Sequence, residues 1–161
     1  MSEAMHQVCL LLGSNIEPEK NIPRAIQLLE QKLTILEKSS IWESASESCC
    51  YPDFLNMAIL GKTSLTAGQL KERILRPLEA RMGRVRTSDK NASRPIDIDI
   101  ILYDGQIIDP DLWQHVYLAV PVAELLPDYL SADGENLKDV AKRLAHSTPI
   151  KVRVDIPITQ S

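Results

Sequence analysis

An isoleucine run interrupted by two aspartates, residues 96–101, constrains the fold more than any other stretch of this chain. Apolar and acidic residues alternate there with period two, which is typical of a β-strand with one buried face. Side chains two positions apart on a strand point to the same side, so Asp97 and Asp99 are predicted to share one face. The isoleucines between them are predicted to line the opposite, buried face.

Cations are concentrated just before this strand. Five of the chain's 18 lysines and arginines lie between Arg81 and Arg94. Two like charges on one face repel unless a cation lies between them, and Mg²⁺ commonly takes one or two carboxylates together with phosphate oxygens. The pattern therefore indicates a site for a metal-bound polyphosphate. The alternative is a solvent-exposed strand face whose two aspartates bind no ligand.

Composition narrows the class of protein. The 161 residues predict one domain over 1–161, and the net charge of −4 argues against a nucleic-acid surface. No apolar run reaches membrane-spanning length, and no signal peptide precedes the first predicted strand. Cys9, Cys49 and Cys50 form neither a disulfide framework nor a CxxC metal motif, which favours a reduced, cytoplasmic setting. A monomer is expected, and a dimer remains open.

The predicted elements follow the order β-α-β-β-α-β, with further elements after them. Strands are predicted at 7–12, 33–42 and 54–63 and at the aspartate segment, which ends in a hairpin signal at residues 104–105. This order predicts an α+β fold of the ferredoxin-like, split βαβ type, with an antiparallel sheet and extra C-terminal helices. The helices are expected to cover one sheet face and to leave the other face for a ligand.

The helix boundaries are predicted from caps and prolines. Asn21 is the predicted N-cap of the first helix, because this choice places Pro23 in the first turn. Thr66 opens a capping box for the second helix, in which Pro77 predicts a kink. A short helix, a longer helix and an edge strand are predicted near the C-terminus, at residues 120–126, 136–145 and 150–158.

Two further positions suggest ligand contacts. Phe54 and Asn56 share a face of the third strand, an arrangement that suits a flat heterocycle stacked on the ring and hydrogen-bonded by the amide. The alternative is a core phenylalanine and a hydrogen-bonded edge amide. Glu79, near the arginine cluster, would orient an arginine or contact a ligand hydroxyl; otherwise it is a solvated helix residue.

Four segments together resemble a known family: LLGSN, PDFLN, GRVR and RPIDIDIILYDG, at residues 11–15, 52–56, 83–86 and 94–105. Over residues 7–127, their order and spacing are similar to those of the 6-hydroxymethyl-7,8-dihydropterin pyrophosphokinases of folate biosynthesis. The resemblance implies transfer of pyrophosphate from ATP to the hydroxymethyl group of the dihydropterin, which gives AMP.

The resemblance also implies roles on the phosphate side of the site. Asp97 and Asp99 would hold two Mg²⁺ ions that bridge the triphosphate and the attacking oxygen. Arg84 and Arg94 would contact the phosphates as catalytic residues. Arg86 would contribute to nucleotide binding from a loop.

On the substrate side, the resemblance implies that Phe54 stacks on the pterin and that Asn56 hydrogen-bonds its edge. Glu79 matches a position near the nucleotide. Two loops, residues 43–52 and 87–93, correspond to segments that close over the substrates.

The chain departs from the family pattern in two places. Residues 109–121 form a shorter segment than in the family, and KNAS replaces an aromatic and a Gly-Pro before Arg94. Tyr117 is the candidate for a second pterin-stacking aromatic; His115 either replaces a family histidine or is an ordinary surface residue. Two alternatives to the enzyme remain: a paralogue that binds a pterin or nucleotide without catalysis, and a protein-interaction module, which the aspartate pair disfavours.

Overall fold

One antiparallel sheet of seven strands runs through the described residues, which are 4–45, 52–85 and 93–158 of a computed structural model. The strands are β1 His6–Ser14, β2 Thr34–Lys38, β3 Ile41–Ser44, β4 Phe54–Thr63, β5 Asp97–Tyr103, β6 Gln106–Ile107 and β7 Ile150–Arg153. Their order is β6-β5-β1-β4-β3-β7, and β2 also pairs with β4.

The helices within the described residues are α1 Pro18–Glu30, α2 Ala67–Leu70, α3 Arg76–Arg81, α4 Val116–Leu125 and α5 Leu137–Ser147. A π-helical turn, Lys71–Leu75, joins α2 to α3, and a 3₁₀ turn, Pro110–Trp113, precedes α4. Because α1 leads from β1 toward β3, and β4 inserts between those two strands, the topology is the predicted ferredoxin-like split βαβ.

Two apolar layers form on the two faces of the sheet. Leu10 and Leu12 of β1 belong to a cluster with residues of α1, α2 and α3, whereas Cys9 and Leu11 belong to one with residues of α4 and α5. The thiol of Cys9 is a core group, since the residue is 1% exposed, and this burial raises its pKa to about 12.

The sequence predicts a second sheet face that is free of helices, but helices pack on this face in the structure. Leu118, Ala119 and Val122 of α4 are buried in the cluster that includes Leu11. The prediction was wrong because α4, which begins four residues before the expected start, and α5 both bury apolar side chains against this face.

The start of α1 also differs from the prediction. The helix begins at Pro18, and a proline is tolerated there because the backbone N–H groups of the first turn have no acceptor within the helix. Asn21 is not the N-cap; its side chain donates to Ile16 O at 2.7 Å. Pro23 therefore lies inside the helix. The hydrogen bond lost there is offset because Ile22 and Ile26 are fully buried on either side of it.

In place of the kink predicted at Pro77, the structure has a π-helical turn at residues 71–75, one turn earlier. The Thr66 capping box is present, with both reciprocal bonds at 3.1 Å. Arg76 N–H then bonds to Lys71 O in the π-helical turn, and Pro77 falls in the first turn of α3, where an N–H is not required.

The remaining boundaries agree with the prediction in part. The second predicted strand divides at residues 39–40 into β2 and β3, so residues 43–44 of the predicted loop belong to β3. The edge strand is present as β7 on β3 but ends at Arg153. Within the described ranges, no helix has the length and apolar character needed to cross a membrane.

Gly61 of β4 provides a test of the packing. A Cβ on Gly61 would lie 2.7 Å from Leu33 Cδ1 and 2.9 Å from the backbone oxygen of Thr34. We expect Gly61→Ala to lower the free energy of unfolding by about 1–3 kcal/mol, measured by urea denaturation. Gly68→Ala is the control, because a Cβ on Gly68 meets nothing within 4 Å. Equal stability of the two variants would contradict the prediction.

Candidate active site

The sheet register brings the predicted site residues into one row. Gly13 at the end of β1 pairs with Asn56 of β4 on one side and with Asp97 of β5 on the other. Paired residues of neighbouring antiparallel strands share a face, so Asn56 and Asp97 flank Gly13 on the same surface. Phe54 and Asp99, each two positions away, point to that surface as well.

The side chains of Asn56 and Phe54 lie close to the backbone of Gly13. A Cβ there would lie 3.1 Å from Asn56 Oδ1 and 3.8 Å from Cδ1 of Phe54. The absence of a side chain at Gly13 thus leaves room for the amide and the aromatic ring beside β5. The side-chain nitrogen of Asn56 donates to Ser44 Oγ at 2.9 Å, which fixes the orientation of the buried amide.

The two aspartates have the arrangement that the sequence predicted. Ile96, Ile98 and Ile100 lie in the core cluster below the sheet, while Asp97 and Asp99 face the other side. Burial raises the pKa of Asp99, and the charge of Asp97 raises it further.

Two arginines keep the carboxylate of Asp97 ionised. Burial alone would raise the pKa of Asp97, but the guanidinium groups of Arg84 and Arg94 outweigh it and lower the pKa below its usual value. Arg84 contacts Asp97 Oδ1, and Arg94 Nη1 lies 3.3 Å from Asp97 Oδ2. The carboxylate of Asp97 is therefore ionised between two cations.

Glu79 positions Arg84 from below. Its side chain is only 2% exposed and accepts from Arg84 at 3.1 Å, from Arg76 at 2.8 Å and from the backbone N–H of Ile98 at 2.8 Å. Glu79 is thus not a solvated helix residue, and it orients an arginine as the sequence suggested. Its predicted contact with a nucleotide stays a prediction.

A glycine returns the chain from α3 to this ion pair. Gly83 has φ of 95°, in the left-handed region, and the N–H of Arg84 bonds to the backbone oxygen of Glu79 at 3.0 Å. This is the usual way for a glycine to end a helix, and it places the Arg84 side chain beside Glu79.

Arg94 connects the two halves of the surface. Its Cζ lies 5.8 Å from the ring centre of Phe54, within the range of a cation–π contact, while the guanidinium also reaches Asp97. The ring-binding and charged groups predicted from the sequence are therefore neighbours.

The aspartate pair suits a hard divalent cation that brings other ligands with it. Among the described residues, no group of three or more His, Cys, Asp or Glu side chains could hold a metal by itself. Mg²⁺ does not need such a group, because it is commonly bound by one or two carboxylates and by substrate phosphates. The donors present therefore fit a metal that enters with a polyphosphate.

Tyr117 and His115 belong to α4 and its N-cap. Their rings stack with 5.2 Å between centroids, and His115 Nε2 lies 4.0 Å from Asp111 Oδ2. Tyr117 packs partly buried against the cluster under α4. Its predicted contact with a pterin stays a prediction.

Some predicted residues lie outside the described part of the chain. These are Arg86, Cys49, Cys50, and most of the two predicted loops, at residues 46–51 and 86–92. Their predicted roles are untested.

Sequence reasoning missed three contributors to this surface. Gly13 and Asn15 lie in the LLGSN segment, to which no role was assigned, and Ser44 lies in the loop predicted at residues 43–52. Asn15 is buried and hydrogen-bonds Arg94. Only the LLGSN resemblance pointed to the first two, because their contacts are distant in sequence.

The chain is similar to known proteins in sequence and in fold. The family model described as 7,8-dihydro-6-hydroxymethylpterin-pyrophosphokinase (HPPK) matches residues 9–127. The 2-amino-4-hydroxy-6-hydroxymethyldihydropteridine pyrophosphokinase of Bacillus subtilis is 32% identical over 130 residues, which cover 72% of this chain and 75% of that protein.

Longer proteins also match. A folic acid synthesis protein of Dictyostelium discoideum is 32% identical over 133 residues, or 76% of this chain, but the chain spans only 20% of its length. A crystal structure of Plasmodium falciparum HPPK-DHPS superposes with a TM-score of 0.73 at 12% identity, covering 90% of this chain and 46% of that one. This last likeness shows the fold alone.

The buried carboxylate of Glu79 gives a testable prediction. We expect Glu79→Ala to lower the free energy of unfolding by about 2–4 kcal/mol, because it leaves the Ile98 N–H and part of the charge of Arg84 without a partner. Urea denaturation measures the change. Glu72→Ala, at an exposed position on the preceding turn, is the control and is expected to change stability by less than about 0.5 kcal/mol. A Glu79→Ala variant as stable as this control would refute the supporting role.

Proposed function

Because the chain belongs to the 7,8-dihydro-6-hydroxymethylpterin-pyrophosphokinase family, we propose that it transfers pyrophosphate from ATP to the hydroxymethyl group of 6-hydroxymethyl-7,8-dihydropterin. The second product is AMP. The observation that carries this proposal is the row across β4, β1 and β5, in which Phe54 and Asn56 face the same surface as Asp97 and Asp99. An aromatic-amide pair and an acidic-basic cluster lie side by side there.

The dihydropterin would bind at the Phe54 end of the row. Its flat ring would stack on Phe54, and its polar edge would hydrogen-bond to Asn56, whose amide is oriented by Ser44. The hydroxymethyl group would then point toward Asp97. Tyr117 is proposed as a second aromatic contact with the ring.

ATP would bind at the Arg84 and Arg94 end. In the present arrangement, both guanidinium groups neutralise Asp97. A triphosphate offers the arginines stronger, bidentate anionic partners, so we propose that they exchange Asp97 for phosphate oxygens when the nucleotide binds. Arg86 and Glu79 are proposed as further nucleotide contacts.

This exchange requires another cation for the aspartates. Asp97 and Asp99 would hold two Mg²⁺ ions, which when bound supply charge neutralisation for the transferred group. The chain's own contribution is to present both carboxylates on one face and to keep Arg84 in place through Glu79.

The chemical step is a displacement at phosphorus. The hydroxymethyl oxygen forms a bond to the β-phosphorus of ATP, the bond from that phosphorus to the oxygen bridging to the α-phosphorus breaks, and AMP leaves with the bonding electrons. The hydroxymethyl proton is released. Catalysis here rests on positioning and electrostatic stabilisation, with no covalent enzyme intermediate.

Three further expectations remain proposals. Residues 1–161 are proposed to form one pyrophosphokinase domain that acts on small molecules as a monomer. A reduced, cytoplasmic setting is proposed from the cysteine content, which offers neither a disulfide framework nor a CxxC motif.

A turnover assay tests the proposal. The protein is incubated with ATP, Mg²⁺ and 6-hydroxymethyl-7,8-dihydropterin, and AMP and the pterin diphosphate are quantified. We expect equal amounts of both products and none after addition of a chelator. Tight binding of the pterin without AMP would refute the reaction and indicate a binding paralogue.

Asp97→Asn tests the metal assignment. The substitution removes one charge with little change in volume, so we expect kcat to fall by at least about 100-fold with the fold retained by circular dichroism. Asp104→Asn is the matched control, because Asp104 follows the other end of β5 and bonds to His6 instead. Full activity of Asp97→Asn would rule out its role as a metal ligand.

Gly13→Ala tests the ring-binding half. The new methyl group would press on Asn56 Oδ1, which is buried and has little room to move. We expect the KM for the dihydropterin to rise about tenfold, while the KM for ATP stays within about twofold of the wild-type value. Steady-state kinetics measure both. An equal rise in both values would contradict a local effect on the ring site.

A further inference from the structure

Asn15 follows β1 directly and is 3% exposed. Its backbone N–H donates to the backbone oxygen of Arg94 at 3.1 Å, and its side-chain oxygen accepts from the Arg94 N–H at 2.7 Å. Asn15 thus holds the peptide groups on both sides of the Arg94 Cα. These two bonds fix the backbone of Arg94 and thereby limit the directions in which its side chain can point.

The other end of the same side chain reaches a different segment. Asn15 Nδ2 donates to Pro52 O at 3.2 Å and to Ser93 Oγ at 3.4 Å. Pro52 lies two residues before Phe54, at the entry to β4. One amide therefore joins the segment that carries Arg94 to the segment that carries Phe54.

The chemistry of these contacts suits an asparagine, whose two terminal atoms meet different partners. The oxygen accepts from a backbone N–H while the nitrogen donates to a backbone oxygen. A hydroxyl offers a donor and an acceptor at a single atom, whereas an amide carries them on two separate atoms that can reach two segments. Aspartate keeps the acceptor and loses the donor, and alanine loses both. Because the amide is buried, its partners would be left with little access to water.

We propose that Asn15 is a positioning residue that sets Arg94 and Phe54 at one fixed separation. The side chain of Arg94 lies 5.8 Å from the ring centre of Phe54 and 3.3 Å from Asp97. The inference rests on the proposed function, in which these groups contact different substrates. Asn15 contacts neither substrate itself; it determines how the phosphate-binding and ring-binding halves are placed relative to each other.

The first test is Asn15→Ala, alone and combined with Arg94→Ala. A misplacement of about 1 Å in a reacting group is enough to reduce kcat/KM about 100-fold, and we expect a loss of this size. If Asn15 acts through Arg94, the double variant loses little more than Arg94→Ala alone. Losses that multiply in the double variant would overturn the inference.

The control for this test is Asn21→Ala. Asn21 also uses its side-chain nitrogen to hold a backbone oxygen near the end of β1, at 2.7 Å from Ile16 O. Within the described residues, no hydrogen bond joins it to Arg94 or Pro52. We expect its kcat/KM to remain within about twofold of the wild-type value, as for surface changes away from the site. A loss equal to that of Asn15→Ala would reduce the role of Asn15 to general stability and overturn the inference.

The second test uses Asn15→Asp, which also applies if Asn15→Ala does not fold. This variant keeps the acceptor for Arg94 and places a second acceptor against Pro52 O. We expect the KM for the dihydropterin to rise about tenfold, with the KM for ATP unchanged. A general loss of stability would not separate the two KM values, so equal changes, or none, would overturn the inference.

A crystal structure of Asn15→Asp separates this inference from the proposed function. We expect the distance between Arg94 and the Phe54 ring to increase while Arg94 still contacts Asp97; an unchanged distance would overturn the inference. This measurement does not depend on turnover. A wild-type protein that produces no AMP would refute the proposed function and leave the crystallographic result to decide the role of Asn15.

Discussion

The candidate site depends on a series of buried ion pairs in which acidic and basic side chains alternate. Asp97 is ionised because Arg84 and Arg94 surround it, and Arg84 is held in turn by Glu79, which also accepts from Arg76. Buried carboxylates and guanidinium groups are costly unless each has a charged or hydrogen-bonding partner. The series of alternating charges satisfies this requirement, and it runs from α3 on one side of the sheet to the carboxylates of β5 on the other.

This arrangement explains why the site lies where helix, sheet and turn meet. Glu79 bonds to the backbone of β5 at Ile98, so α3 and the aspartate strand are joined at the position between the two carboxylates. Gly83 then reverses the chain and returns Arg84 to the same place. On the neighbouring strands, Gly13 leaves room for Asn56. Local backbone geometry therefore places the charged groups beside Phe54 and Asn56.

Much of this could be predicted from the pattern of side chains. Period-two alternation placed Asp97 and Asp99 on one face, and the order of elements predicted the split βαβ fold; both were confirmed. The start of α1 was predicted wrongly because local rules disfavour Pro23 inside a helix, whereas burial of Ile22 compensates for the lost hydrogen bond. The prediction of a helix-free sheet face was wrong because α4 packs against strands that are distant from it in the sequence.

By itself, the sequence determined which residues can share a strand face, where the cations are concentrated and which family the motifs resemble, since these properties depend on spacing along the chain. Only the tertiary structure decided that Glu79 is buried beneath Arg84 and that Asn15 joins Arg94 to Pro52. The physical reason is that hydrogen bonds between distant segments satisfy groups that local structure leaves unpaired. Which distant partner each group meets depends on the register of β1 between β4 and β5.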